Sequence, residues 1–362
     1  MRIEVDATSL LLRSAGVKNY TYHWINHLRA QARPGDSVTA FPFLRDLGAL
    51  NHDGSNISEL ATLPRIATLY AVNHLPLIDQ FVKGADVFHA SNQVRKPPTR
   101  IPLTATVHDL TCWLMPELHT PANVRADKSF AGQILRRARG LIAVSENTRQ
   151  DAIKLLGVKP ESVHTIHSGI SEAFFDAQPT PKQKPYILFV GTIEPRKNLD
   201  TLLDAYAALR PDLKDAYDLV VAGPAGWASE KTLARLSNHT PGVHYTGYIQ
   251  EADLPGLTAG ATVFAYPSLY EGFGFPIAQA MAARVAVVTS NTSCLPEVAG
   301  PGALCVDPKS PAELKKALET LLENAELRQS LATQGRAWAE RYRWQTCAQQ
   351  SWDFFKKITD SF

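Results

Sequence analysis

No two cysteines are spaced for metal or redox chemistry. Cys112, Cys294, Cys305 and Cys347 are scattered without a CxxC, so a zinc module and a disulfide framework lose their support and a reduced compartment is expected. No stretch approaches the roughly 18 uninterrupted apolar residues of a membrane span. The opening Met1–Asp6 alternates charged with apolar side chains and lacks the apolar core of a signal peptide, so a cytoplasmic location is expected. Neither charge sign is in large excess. Lys plus Arg number 37 against 35 Asp plus Glu, which leaves no field strong enough to argue for nucleic acid. The 24 prolines and 21 glycines form no low-complexity run, so disorder is not expected. Also missing are GxxxxGK[ST], GxGxxG after the first strand, HExxH and GxSxG. Kinase, dehydrogenase, zinc-protease and α/β-hydrolase readings therefore lose their usual support. His164 and His167 are not at a helical ligand spacing, and no protein-bound metal or cofactor is expected.

What the sequence has is a rhythm. Short apolar, β-branched runs alternate with helical stretches, the pattern of parallel strands joined by crossover helices. Strands are predicted at Ile3–Asp6, Ser37–Phe41, Asp86–Ala90, Thr104–Asp109, Leu141–Ser145 and His164–Ser168. The segment Ser171–Pro185 carries three prolines among polar residues, reads as a linker without an element of its own, and marks a domain boundary. The rhythm restarts at Tyr186–Gly191, Leu219–Gly223, His244–Tyr248, Thr262–Tyr266, Val285–Thr289 and Leu304–Val306. A chain of 362 residues suits two α/β domains of about 150–200 residues each, here 1–172 and 173–343. Pro311–Tyr342 and Gln345–Ile358 read as helices. The last carries Trp352, Phe354 and Phe355, and either closes the second core or returns to the first domain.

In doubly wound sheets ligands bind where strands end, and four such places stand out. Gly191-Thr192-Ile-Glu-Pro-Arg196-Lys197 follows an apolar strand and leads into a helix; it is either a solvated surface pair or an anion site made of two cations and a helix N-terminus. In Glu271-Gly272-Phe273-Gly274-Phe275-Pro276, glycines would let backbone amides approach a ligand, with Glu271 placed to accept from hydroxyls; the alternative is a tight turn with a capping carboxylate. His108 and Asp109 end a buried strand, as a site or as a structural histidine with a turn cap. The loop Ser14–Tyr20, with Gly16, leads into a helix and is a further candidate for backbone-amide anion binding.

Taken together, these motifs resemble the family-4 retaining glycosyltransferases of the GT-B fold, over nearly the whole chain. The resemblance implies two Rossmann-like parallel-sheet domains facing a cleft. The second would hold a nucleotide diphosphate-sugar and the first an acceptor, with helix 344–362 crossing back to the first domain. It implies that Arg196 and Lys197 hold the diphosphate, that Gly16 approaches it, and that Glu271 and the amides of Phe273–Phe275 hold the donor sugar. His108 would lie beside the transferring sugar, and Gly247-Tyr248-Ile249 would offer backbone to the base. Two positions depart from the family pattern: Gln279 replaces the second acid of E-x7-E, and Thr192 stands where many members carry arginine.

The Gly-Thr-Ile-Glu-Pro-Arg-Lys-Asn pattern resembles bacterial polysaccharide mannosyltransferases, which puts GDP-mannose or a related GDP-hexose first among donors, ahead of UDP- and dTDP-sugars. The implied acceptor is a glycan or lipid-linked molecule. No carboxylate stands out opposite Glu271 as a nucleophile, so same-face attack with a phosphate oxygen as base is expected. The competing functions are a nucleotide-sugar epimerase or hydrolase, and a non-catalytic sugar-nucleotide-binding partner subunit. Arg125, Lys128, Arg136, Arg137 and Arg139 flank Ala131–Leu135 on a predicted helix, either as a solvated face or as a contact for anionic lipid at the inner membrane.

Overall fold

The computed structural model describes residues 1–13, 16–52, 54–91, 93–238 and 240–361. The chain divides into two compact units, Met1–Gly169 with Trp344–Phe362, and Ile170–Arg343. Each is built on one six-stranded, all-parallel sheet.

In the first unit the strands are β1 Arg2–Asp6, β2 Ser37–Phe41, β3 Val87–Ala90, β4 Leu103–Val107, β5 Gly140–Ala143 and β6 Val163–Thr165, in the order β2-β1-β3-β4-β5-β6. Every residue of β3, β4 and β5 is buried, because helices cover both faces. These strands therefore read as mostly apolar runs, with His89, Thr104 and Thr106 as the buried polar residues among them. The chain leaves β1 towards β2 and then crosses to β3 on the other side, so the switch point lies between the carboxyl ends of β1 and β3. Asp6 is fully buried there, accepting from the amides of Ser91 (3.2 Å) and Val94 (3.3 Å) and from Thr8 Oγ1 (2.6 Å).

The C-terminal helix Trp344–Asp360 belongs to this unit, as the resemblance implies. It lies on helix Gly16–Ala30, and both contacts use buried indole N–H groups. Trp24 Nε1 donates to Ser351 Oγ at 2.9 Å, and Trp352 Nε1 donates to the Leu28 carbonyl at 3.1 Å. Gly140 gives the helix room, since a Cβ there would meet Ile358 at 2.6 Å.

In the second unit the strands are β7 Tyr186–Val190, β8 Asp218–Ala222, β9 Val243–Gly247, β10 Val263–Tyr266, β11 Ala286–Ser290 and β12 Ala303–Val306, in the order β12-β11-β10-β7-β8-β9. Its switch point lies between β7 and β10. All twelve sequence-predicted strands are present; the largest displacement is at β6, which stops at Thr165 rather than Ser168.

Two expectations need correcting. Ser171–Pro185 is not a structureless linker: it lies in the second unit and contains the short helix Glu172–Phe175, which buries Phe174 and Phe175. Arg336 and Arg343 stack over the Phe175 ring at 4.6 and 4.0 Å, so aromatic burial outweighs the prolines' breaking effect. The stretch Pro311–Tyr342 is not one helix. Asn324 ends Pro311–Glu323 in an extended conformation and caps Ala325–Ala339 through Oδ1, which accepts from the Leu327 amide at 2.8 Å.

Candidate functional site

At the β7/β10 switch point, the turn after β7 brings up Arg196 and Lys197 and the turn after β10 brings up Glu271. The Pro195–Lys197 turn is a single 3₁₀ turn ending at Asn198, whose left-handed backbone (φ 56°) starts helix Leu199–Ala207. Asn tolerates that conformation better than most residues. Its Nδ2 donates to the carbonyls of Pro267 (2.9 Å) and Pro308 (2.7 Å), locking the turn to the segment after β10.

The cations and the carboxylate meet directly. Arg196 Nη1 lies 2.9 Å from Glu271 Oε2, and Lys197 Nζ 2.7 Å from Oε1. Oε1 also accepts from Ser268 Oγ at 2.6 Å and from the Tyr266 hydroxyl at 2.9 Å, while Lys197 donates to that hydroxyl at 2.7 Å. Arg196 Nη2 reaches Glu194 at 2.8 Å, and its Nη1 donates to the Tyr270 carbonyl at 2.6 Å. The formal charges of Arg196, Lys197, Glu194 and Glu271 therefore cancel. Burial alone would raise the Glu271 carboxyl, but Arg196 and Lys197 outweigh it and hold the group down at about 2. For Glu194 burial wins and its carboxyl is raised; Tyr266, buried beside Glu271, is raised well above its ordinary range. Glu194, Tyr266 and Ser268 stand within the two candidate stretches of the sequence but were given no role there. The available signal was position: Glu194 stands two residues before Arg196, and the other two open the turn that carries Glu271.

The glycine-rich turn is buried from Glu271 to Gly274. Gly274 (φ +84°) starts helix Phe275–Ala282, and a Cβ there would strike Leu295 at 2.9 Å, so no other residue fits without strain. Gln279 is buried within that helix. Gly191 is different. A Cβ on it would make only ordinary 3.7 Å contacts, whereas one on neighbouring Gly223 would collide with the Gly191 carbonyl at 2.0 Å. Packing therefore requires the glycine at 223 and only tolerates the one at 191; Gly191 and Thr192 are both partly exposed. Tyr248 and Ile249 follow β9 at the sheet edge, Tyr248 exposed.

In the first unit, Gly16 is exposed at the start of its helix with nothing within 4 Å of a built Cβ. Ser14 and Ala15 lie outside the described residues. Lys18 turns inward and is fully buried, donating to the carbonyls of Asn51 (2.7 Å) and Gly54 (2.5 Å), so it ties down a loop instead of facing a ligand. His108 follows β4 directly, edge-on to Tyr20 at 4.9 Å. Burial pushes its imidazole down to about 4, with Asp109 pulling the other way, so it is neutral at neutral pH. Asp109 caps the next turn, accepting from the Thr111 amide (3.0 Å) and hydroxyl (2.7 Å). The five basic residues around Ala131–Leu135 do not form one face: Lys128 and Arg136 stand over the Trp113 ring at 5.4 and 5.6 Å, and Arg139 bonds the Ser361 carbonyl. Among the described residues no three His, Cys, Asp or Glu side chains gather as a metal site, and no helix is long and apolar enough to cross a membrane.

Two six-stranded, all-parallel α/β units, the second with charged and glycine-rich turns at its switch point, are the architecture of the GT-B fold. Residues 15–174 match the model "Glycosyltransferase Family 4" and residues 170–338 match "Glycosyl transferases group 1". The O-antigen chain mannosyltransferase B of Escherichia coli is 31% identical over 265 residues, covering 70% of each chain. The chain belongs to glycosyltransferase family 4. It is also 31% identical over 229 residues to the MMP alpha-(1->4)-mannosyltransferase of Mycolicibacterium hassiacum, the match covering 62% of this chain and 56% of that protein. The sucrose-phosphate synthase of Thermosynechococcus elongatus has the same fold, with a TM-score of 0.76 at 19% identity and complete coverage of both chains.

Proposed function

We propose that this glycosyltransferase retains anomeric configuration and takes its hexose from a nucleotide diphosphate-sugar, GDP-mannose first. It extends a glycan or lipid-linked acceptor of bacterial polysaccharide or O-antigen type. The observation that carries the reading is the self-neutralised cluster of Arg196, Lys197, Glu194 and Glu271 at the β7/β10 switch point. An arriving diphosphate competes for the two cations, which stabilise charge growing on the leaving group as the glycosidic bond breaks. Glu271, released from Arg196 and Lys197 and still held by Ser268 and Tyr266, accepts from sugar hydroxyls. Gly191, where a side chain would meet only ordinary contacts, leaves room for phosphate beside the backbone. Tyr248 and Ile249 offer backbone to the base, Gln279 bonds the ribose as an amide, and no metal enters the scheme. The acceptor attacks on the face the diphosphate leaves, giving its proton to a phosphate oxygen.

The mannosyltransferase names of the two relatives support mannose as the sugar. Incubation with GDP-mannose, UDP-glucose or dTDP-glucose and mannose-terminated acceptors, with the product anomer read by NMR, tests this. Mannose transferred from GDP-mannose with an α linkage is expected. Transfer from UDP-glucose alone overturns the donor; an inverted product or a trapped glycosyl-enzyme overturns the mechanism.

A further inference from the structure

The backbone of Glu271, and of the two residues whose hydroxyls hold its carboxylate, is fastened from one neighbouring segment. β10 and β11 pair as far as Tyr266 and Thr289, and the chain then turns away from the sheet towards Glu271. Side chains from the end of β11 and the turn after it follow that departing backbone. Thr289 Oγ1 donates to the Tyr266 carbonyl (2.9 Å), Ser290 Oγ to the Ser268 carbonyl (2.6 Å) and Thr292 Oγ1 to the Leu269 carbonyl (3.1 Å). At Glu271 both backbone groups are held: the amide donates to Ser293 Oγ (3.1 Å), and the carbonyl accepts from Cys294 Sγ (3.1 Å). Buried carbonyls that leave a strand need donors, and this accounts for Thr289 and Ser290, both fully buried. Ser293 differs from them. Its backbone is left-handed (φ 54°), a conformation in which glycine costs least. What serine adds there over glycine is the Oγ that accepts from the Glu271 amide.

We propose that Ser293 is a positioning residue for glycosyl transfer, fixing the Glu271 backbone so that the carboxylate stays aimed at the donor sugar after the diphosphate has drawn Arg196 and Lys197 away. The proposal rests on the donor-site reading given above. Two salt bridges tether Glu271 for as long as the cations face it. Once phosphate takes the cations, the carboxylate keeps the hydroxyls of Ser268 and Tyr266, and its aim depends on how firmly the turn beneath it is held. Arg196 and Lys197 reach the diphosphate from the other turn, after β7, so Ser293 acts on the sugar and not on the nucleotide.

Two variants separate positioning from a purely structural role. Ser293→Gly removes Oγ and relieves the left-handed backbone; Ser293→Thr keeps the hydroxyl and adds a β-branch that this backbone disfavours. For each, the urea midpoint is measured, with KM for whichever of GDP-mannose, UDP-glucose and dTDP-glucose the wild type uses and the calorimetric Kd of the matching nucleoside diphosphate. Ser293→Gly is expected to unfold near the wild-type midpoint, since the lost hydrogen bond and the relieved backbone oppose each other. It should bind the diphosphate as the wild type does and raise KM for the sugar nucleotide about five- to tenfold. Ser293→Thr should unfold at a lower midpoint and yet keep a KM close to that of the wild type. A wild-type KM in Ser293→Gly overturns the proposal, as does a KM that follows the midpoint and is worse in Ser293→Thr. Equal weakening of diphosphate and sugar nucleotide in Ser293→Gly also overturns it, showing a general loosening of the site. Wild type that binds none of the three diphosphates removes the donor-site reading itself, and the proposal with it.

Discussion

Glu271 holds one salt bridge through each oxygen and two further hydrogen bonds through Oε1, so its partners cannot be removed singly without cost. Arg196→Ala leaves a buried carboxylate undercompensated and is expected to lower stability by about 3–5 kcal/mol. Adding Glu271→Gln should recover part of that loss, a coupling that urea unfolding of the two single variants and the double variant would measure. Acid acts on the same residues. Glu271, held at about 2 against an ordinary 4.5, contributes stability that is fully present above about 4.5 and lost as pH falls towards 2. His89 is fully buried between the hydroxyls of Thr104 and Thr106, each at 2.9 Å, and burial first, then His108, drives it down to about 3 from 6.5. Its folded value is depressed, so its contribution is complete above pH 6.5 and falls by up to about 1.4 kcal/mol per pH unit below it. His108, depressed to about 4, adds a slope of the same sign, so unfolding measured from pH 7 to 4 should show the two together and His89→Gln should remove roughly half; an unchanged slope would assign it elsewhere. The sequence showed Arg196, Lys197 and Glu271 as candidates because each follows an apolar strand. It did not show that they pair with one another, since a salt bridge between residues 196 and 271 depends on two turns meeting across strands that are distant in sequence. Lys18 shows the same limit: nothing in the sequence says that this helical cation turns inward to two carbonyls.

At the scale of elements, the C-terminal helix and the Gly274 turn matter most. The indoles of Trp24 and Trp352 each bury an N–H with a partner across the pairing of helices Gly16–Ala30 and Trp344–Asp360. Trp344 is itself buried against Tyr20, their rings 5.6 Å apart. Trp344→Ala should cost about 3–5 kcal/mol. A fragment of residues 1–169 should show weak far-UV dichroism until peptide 344–361 is added; a fragment that folds equally well alone would show the helix to be dispensable. Gly274→Ala forces a left-handed backbone on alanine, at about 1–2 kcal/mol, and pushes against Leu295. It is expected to raise KM for the donor more than it lowers kcat, as steady-state kinetics would show. Strand positions were legible because a parallel strand covered on both faces is mostly apolar, even where hydroxyls and an imidazole pair within it, as at His89, Thr104 and Thr106. The break at Asn324 was less so, since an amphipathic pattern continues across a one-residue cap.

For the whole molecule, the twofold repetition of a parallel sheet with a switch point was legible from the rhythm of strands and helices. Which turns lie at each switch point follows from strand order, and that order came only with the structure. The central claim is that the β7/β10 turns hold a nucleotide diphosphate through Arg196 and Lys197. Removing those cations alone would strand Glu271, so the comparison is made in a Glu271→Gln background. The measurement is calorimetric titration of GDP, UDP and dTDP, without added metal, into wild type, Glu271→Gln, and Glu271→Gln with Arg196→Ala and Lys197→Ala. The account predicts that GDP binds the wild type, binds Glu271→Gln as well or better because the cluster is then net positive, and loses about 100-fold or more in the triple variant. Undiminished binding in the triple variant, or no binding of any nucleotide by the wild type, would contradict it.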